Sequence, residues 1–259
     1  MFSFRKVPAP EYFVFKDDYL QNIALQHKDQ YINANPFPHT AIDNFLPNDV
    51  AERLLKVFPK PDAPFWFDWK NGDMDNQPRK QGLGHISRLE GADAFLFNVI
   101  HALNSWPVIH FLETLTGIKG LIPDPHCHGG GVHQILPGGK LKIHSDFNYL
   151  PELKLYRKIN LLLYLNKDWQ DAYGGHVELW DKNMEYAVQK IAPIFNRCVI
   201  FNTDSYSYHG HPDPLNCPED MTRKSIALYY YTRDGRDEQL DPHSTLWKQR
   251  PENDEDNAK

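Results

Sequence analysis

The chain has 259 residues, with 28 basic and 34 acidic side chains and a formal net charge of −6 at pH 7. The two signs are spread evenly and no basic face stands out, which argues against nucleic acid and against a membrane as partners. The three cysteines form no CxxC pair, which favours a reducing compartment over a disulfide framework. No signal peptide or apolar membrane span is evident, so the sequence predicts a soluble, cytoplasmic protein.

The first 120 or so residues are predicted to be rich in helix. An apolar stripe of 3.6-residue period begins after Pro47 and stops at Pro59, which predicts one helix between them. Two more helices are predicted at 92–105 and 108–117, the second ending at a C-cap glycine.

From about residue 130 the pattern changes to short runs that alternate every two residues, separated by Gly, Pro, Asn and Asp. These runs are KLKIHSD, INLLLYLN, HVELW, CVIFNT and KSIALYYYT. Many short strands at such spacing predict an antiparallel sandwich or barrel. The stretch 67–82 is predicted to be a mobile loop and the polar tail 250–259 to be disordered.

One strand carries a candidate metal half-site in KIHSD. Because residues i and i+2 of a strand point to the same side, His144 and Asp146 project together. The same pair is also what a buried ion pair looks like, so two ligands alone leave both interpretations open. The loop after CVIFNT offers a third ligand, His209 or His211. Two histidines and one carboxylate form the triad of non-haem Fe(II) oxygenases, and the lack of a thiolate argues against structural zinc.

The run TRKSIALYYYT places a guanidinium on an otherwise aromatic face. Alternation puts Arg223, Ser225, Ala227, Tyr229 and Tyr231 on that face. A buried guanidinium is costly without an anionic partner, and a carboxylate ligand bound in bidentate fashion would satisfy it.

These motifs occur in a specific order: H-S-D at 144–146, LLLYLNKDW, YGGHVELW, FNTDSYSYHG and R-K-S at 223–225. Over about 130–235 the chain resembles the Fe(II)/2-oxoglutarate-dependent dioxygenases, on their prolyl-4-hydroxylase-like branch. The resemblance implies a mainly β protein with flanking α, a double-stranded β-helix (jelly-roll, cupin-like) barrel buttressed by N-terminal helices. It implies one domain over 1–259, with helical support at about 1–125 and the catalytic core at about 126–240.

The resemblance also implies roles for individual residues. The iron ligands would be His144, Asp146 and His209, with His209 preferred to His211 because the family shows the form S-x-x-H-G. The residues implied for 2-oxoglutarate are Arg223, Tyr164 and Ser225. Three further residues are candidates for the substrate pocket, with packing of the barrel as an equal alternative: Gln134, Asn148 and Trp180.

The implied cofactors are Fe(II) and the cosubstrate 2-oxoglutarate, with ascorbate as a further candidate. The implied reaction hydroxylates an unactivated C–H bond of a small polar metabolite, an amino acid or a prolyl-type substrate, and yields succinate and CO2. The carboxylate of Asp146 favours hydroxylation over halogenation, because halogenases on this scaffold carry a small residue there. Two alternatives are a catalytically silent binding module and a zinc hydrolase, which would leave Arg223 and Tyr164 without a role.

Overall fold

The computed structural model describes residues 12–68, 75–84, 91–233 and 241–251. The helices of this part of the chain are Asp17–Ile32 (α1), Asn48–Lys56 (α2), Ala94–Leu103 (α3) and Trp106–Thr116 (α4). Its strands are His39–Ile42 (β1), Phe67–Asp68 (β2), Lys80–Leu83 (β3), Ile122–Pro123 (β4), Gly131–Ile135 (β5), Leu141–Ser145 (β6), Tyr149–Leu150 (β7), Leu155–Tyr164 (β8), Val177–Trp180 (β9), Ala187–Ile191 (β10), Cys198–Asn202 (β11), His209–His211 (β12), Arg223–Thr232 (β13) and Leu246–Trp247 (β14).

The three helices predicted from the sequence are confirmed as α2, α3 and α4. Helix α2 begins directly after Pro47, and α4 ends at Gly117, whose φ of 77° lies in the left-handed region that favours glycine. Helix α1 was not predicted. It buries only a few side chains, so its sequence carries a weak stripe.

The prediction of a mobile loop over 67–82 is wrong at both ends of the stretch. Residues at those ends form β2 and β3, and β3 pairs with β5. Residues 69–74 lie outside the described residues, as do residues 252–259 of the predicted disordered tail. The sequence did not indicate these strands because the stretch 67–82 is polar. Such a composition is compatible with β2 and β3 because both strands are short and lie at the edge of a sheet.

Two antiparallel sheets form the body of the protein. The major sheet has the order β1-β11-β8-β13-β5-β3-β2, with β4 added on β13 and β7 on β8. The minor sheet has the order β10-β9-β12-β6-β14. Strands far apart in the sequence are neighbours in each sheet, as in a jelly roll. The chain is therefore mainly β with flanking helices, as expected.

Alternation along β8 separates the core from the cavity. Leu161 and Leu163 pack, together with the apolar faces of all four helices, on the outer side of the major sheet. The intervening residues Leu162 and Tyr164 face the minor sheet, where they pack near Leu179. The helices thus buttress one sheet, and the space between the two sheets is left for a site.

No single helix of the described ranges is long and apolar enough to cross a membrane. Helices α3 and α4, separated by a bend of 42°, meet the requirements of length and composition only as a pair.

Candidate metal centre

Three potential metal ligands converge between the sheets. His144 and His209 lie opposite each other on β6 and β12, and Asp146 follows directly after β6. One ligand atom from each lies within 4.8 Å of the others, and no other His, Cys, Asp and Glu cluster of this kind occurs in the described part of the chain. The structure thus brings His209, and not His211, to the predicted dyad.

The backbone fixes which nitrogen of each histidine faces the centre. The Nδ1 atom of His144 lies 2.9 Å from the carbonyl oxygen of Lys142, and that of His209 lies 2.9 Å from the carbonyl oxygen of Ser207. A carbonyl oxygen only accepts hydrogen bonds, so Nδ1 carries the proton in both rings. In the neutral rings the Nε2 lone pairs then point at the carboxylate of Asp146, at 3.5 and 3.3 Å. Three electron-pair donors that face each other fit a divalent cation between them.

The carboxylate of Asp146 is held by two side chains that the sequence did not indicate. Its Oδ2 atom accepts hydrogen bonds from Arg157 Nη2 and Asn160 Nδ2, both at 2.8 Å. Burial alone would raise the pKa of this carboxyl, but the adjacent Arg157 guanidinium holds the pKa well below its usual value. Asp146 is therefore an anion, and its Oδ1 atom is left for a metal.

Arg157 is fixed by the aromatic side chains on both sides of it. The carbon atom at the centre of its guanidinium lies 3.3 Å from the ring centroid of Tyr229 and 4.7 Å from that of Phe147. Its Nε atom also donates to Asn160 Oδ1 at 2.9 Å. Cation–π contacts and hydrogen bonds together leave this buried side chain little freedom, so the orientation of Asp146 is fixed before any ligand binds.

The cavity extends from the metal ligands to a second cation, Arg223. It has a volume of about 270 Å³. At its deep end Arg223 Nε donates to the carbonyl oxygen of Gly175 at 2.6 Å, and Arg223 Nη2 donates to Tyr164 Oη at 3.1 Å. Ser225 lies opposite Tyr164 on β13 and lines the same cavity. The predicted iron ligands and the predicted 2-oxoglutarate residues therefore share one cavity.

The C-terminal segment 241–250 forms part of the cavity mouth. Its strand β14 pairs with β6, and the ring of Trp247 lies 4.8 Å from the ring of His144. The side-chain amide of Asn148 holds this segment, because it donates to the carbonyl oxygen of Asp241 at 3.1 Å and accepts from the amide of His243 at 2.8 Å. Trp247, which the sequence did not indicate, is thereby placed against the ring of His144.

The three residues predicted for the substrate pocket do not line this cavity. Asn148 anchors the C-terminal segment, as described above. Gln134 is buried and donates to Gln81 Oε1 at 2.7 Å, and Trp180 donates to Glu178 Oε2 at 3.0 Å. Each has a packing or anchoring environment, so their role in the substrate pocket stays a prediction that the geometry does not support.

The candidate centre lies within a segment that resembles a known family. Residues 130–231, which contain all three ligands and Arg223, match the sequence model of the 2OG-Fe(II) oxygenase superfamily. The chain is therefore similar to this superfamily over its catalytic core. The match and the His-Asp-His centre together support a 2-oxoglutarate-dependent dioxygenase whose cofactors are Fe(II) and 2-oxoglutarate. The helices and β14 lie outside the matched segment.

Solved structures of several oxygenases share the fold of this chain. A prolyl hydroxylase of Trichoplax adhaerens, in complex with a hypoxia inducible factor peptide fragment, is 20% identical with a TM-score of 0.56, covering 83% of this chain and 91% of that one. A prolyl 4-hydroxylase of Phytophthora capsici is 18% identical with a TM-score of 0.54, covering 92% and 74%. HygX of Streptomyces hygroscopicus, with nickel, 2-oxoglutarate and hygromycin B bound, is 11% identical with a TM-score of 0.52, covering 80% and 87%. The predicted double-stranded β-helix is confirmed.

Proposed function

We propose that this oxygenase hydroxylates a C–H bond on a small polar molecule, an amino acid or a prolyl-type group. The observation that carries the proposal is that the three candidate metal ligands and the buried Arg223 line the same cavity. A metal held by His144, Asp146 and His209 would supply activation of dioxygen, coupled to decarboxylation of 2-oxoglutarate. The carboxylate of Asp146 fills the ligand position that a halide would need, which favours hydroxylation.

The deep end of the cavity suits the distal carboxylate of the cosubstrate. Arg223 offers a fixed guanidinium there, and Ser225 adds a hydroxyl group. Burial raises the pKa of Tyr164 despite the neighbouring Arg223, so the phenol keeps its proton. Because Tyr164 Oη accepts from Arg223, its own O–H is left to donate to a carboxylate oxygen.

The volume of the cavity limits the size of the substrate group that can approach the metal ligands. A volume of about 270 Å³ lies just below the range of about 300–1,000 Å³ found for ligand pockets. The deep half is assigned to the cosubstrate, so the space near the metal ligands accepts only a small group. The rest of a longer substrate would lie in the open groove of about 450 Å³ that shares Gly129 and Phe147 with the cavity.

The proposed function is tested by anaerobic addition of Fe(II) and then 2-oxoglutarate. We expect the visible charge-transfer band of the iron–2-oxoglutarate chelate, followed by succinate formation in air that rises with the right member of a panel of amino acids and polar metabolites. Absence of the band would exclude the assignment of the cavity. A band with no substrate-stimulated turnover on any member of the panel would instead support a silent binding module. Omitting ascorbate from the assay tests whether this reductant is needed.

Gly175 provides a way to move the guanidinium without changing Arg223. A Cβ atom at Gly175 would lie 3.0 Å from Cδ and 3.2 Å from Nε of Arg223, and 2.6 Å from Cδ2 of Leu215. We therefore expect Gly175→Ala to displace Arg223 and to raise the dissociation constant for 2-oxoglutarate by about tenfold, which corresponds to about 1.4 kcal/mol. Titration of the charge-transfer band measures this constant.

Gly174→Ala is the matched control. Both glycines have a positive φ, +69° and +72°, so both substitutions strain the backbone. A Cβ at Gly174 meets no atom within 4 Å. We expect Gly174→Ala to lower the melting temperature while leaving 2-oxoglutarate affinity intact. Equal affinity losses in the two variants would show that strain, and not the position of Arg223, is responsible.

A further inference from the structure

A buried histidine in the cavity wall has no role in the function described so far. The imidazole of His211 is only 3% exposed, and neither of its ring nitrogens has a hydrogen-bond partner among the described residues. His144 and His209 differ, because each donates from Nδ1 to a backbone carbonyl. Buried polar atoms are nearly always hydrogen-bonded, and an exception calls for a missing partner such as a ligand or a water molecule.

His211 lies at the deep end of the cavity, on the sheet that faces Arg223. It follows the metal ligand His209 by two residues on β12, and both line the cavity. Its backbone pairs with Leu141, which is further along β6 from the metal ligands. His211 also borders a small cavity of about 70 Å³ together with Gly175, the residue whose carbonyl holds Arg223. Arg223 on β13 and His211 on β12 therefore approach the same end from opposite sheets.

The charges around His211 select the kind of ligand. Two cationic side chains, Arg223 and Lys80, line the cavity together with His211. An imidazole ring offers at least one N–H donor. Two cations close to this end disfavour a cationic ligand and favour an anionic one, and an N–H group donates readily to a carboxylate oxygen.

We infer that His211 donates a hydrogen bond to the distal carboxylate of 2-oxoglutarate, opposite Arg223 and Tyr164. The carboxylate is then held from both sheets, by the guanidinium and the phenol on the major sheet and by the imidazole on the minor sheet. This inference rests on the proposed assignment of the cosubstrate to this cavity. It makes His211 a further determinant, beside Arg223, Tyr164 and Ser225, that distinguishes 2-oxoglutarate from 2-oxo acids without a second carboxylate.

The test compares two ligands and three variants on the anaerobic Fe(II)-loaded protein, with dissociation constants measured by calorimetry. The ligands are 2-oxoglutarate and 2-oxobutyrate, which lacks the distal carboxylate. His211→Leu still fills the space in the cavity wall, now with an apolar side chain, but it removes the N–H donor. We therefore expect 2-oxoglutarate to bind at least about tenfold more weakly. Binding of 2-oxobutyrate is expected to stay at the wild-type level, because this ligand never used the donor.

Two variants restore a donor. His211→Gln and His211→Asn carry an amide N–H near the positions of Nε2 and Nδ1, and we expect at least one of them to bind 2-oxoglutarate more tightly than His211→Leu does. The inference is overturned if His211→Leu binds 2-oxoglutarate as the wild type does, or if it loses both ligands equally, which would indicate damage to the wall. Failure of the wild type itself to bind 2-oxoglutarate would instead overturn the proposed function.

Discussion

Asp146→Asn is expected to abolish metal binding at the centre. The substitution keeps the shape of the side chain but removes the negative charge that faces the Nε2 atoms of His144 and His209. Loss of a residue that only orients a metal ligand costs about 10–100-fold in metal affinity, so loss of the ligand charge itself is expected to cost at least about a hundredfold. The charge-transfer band and 2-oxoglutarate turnover should disappear with the metal.

Thermal denaturation under anaerobic conditions measures this loss without relying on activity. At a metal concentration of 100 times the dissociation constant, binding stabilises the folded wild type by about 2.7 kcal/mol. For a chain of this size that corresponds to a rise in melting temperature of about 5–10 °C. We expect Fe(II) to cause such a rise in the wild type and none in Asp146→Asn.

Asp43→Asn separates metal binding from the general effect of removing a paired carboxylate. Asp43 also accepts from an arginine, Arg197, whose Nε and Nη2 atoms lie 2.6 and 2.9 Å from its oxygens. The pair is not among the residues that line the cavity. Asp43→Asn should therefore melt earlier than the wild type and still gain stability from Fe(II). A full metal-dependent rise in Asp146→Asn would refute the role given to Asp146.

Much of the centre could be predicted from the sequence because strand periodicity carries the information. Two-residue spacing placed His144 and Asp146 together, and the alternation of β13 correctly placed Arg223 and Ser225 in the cavity wall. Asn160 could have been found in the same way, since alternation along β8 places it on the same face as Tyr164. It was missed because an asparagine in an apolar strand is also typical of packing and capping.

Arg157 could not be found by alternation because the register shifts. β13 and β8 pair regularly up to Tyr230 and Ile159, and the next pair is Tyr231 with Arg157, one residue out of step on β8. This irregularity brings Arg157 into the cavity against parity. Tyr231 packs with Leu150 and Leu155 in a cluster that Tyr229 also contacts, and it lies beyond the residues that line the cavity. A bulge depends on both strands, so neither sequence alone indicates it.

The C-terminal segment was missed for a different reason. Strand β14 has only two residues, and its position over His144 depends on contacts from Asn148, which lies about a hundred residues earlier. No local pattern records such a contact, since periodicity reports only which face of an element is apolar. The details that shape the mouth of the cavity, and hence substrate choice, come from contacts of this kind.

Arg223→Leu is expected to remove 2-oxoglutarate binding while leaving metal binding intact. A bidentate guanidinium–carboxylate contact contains two charge-assisted hydrogen bonds of about 1.5–3 kcal/mol each, so the dissociation constant should rise at least about a hundredfold. The anaerobic titration measures it, and the rise in melting temperature with Fe(II) alone should match the wild type. An unchanged affinity for 2-oxoglutarate would place the cosubstrate elsewhere.

The same variant is expected to leave the ligand-free protein as stable as the wild type or more stable. Within the described ranges no carboxylate pairs with Arg223, and its partners are the Gly175 carbonyl and the Tyr164 hydroxyl. Burying an unpaired cation costs several kcal/mol, whereas each of the two freed oxygens costs about 1–3 kcal/mol at most and borders a cavity that can hold water. A higher free energy of unfolding in urea, together with lost 2-oxoglutarate binding, would show that Arg223 is retained for its ligand.

Arg223→Lys keeps the charge without the planar fork, so it should keep the cost of the buried cation and recover only part of the affinity.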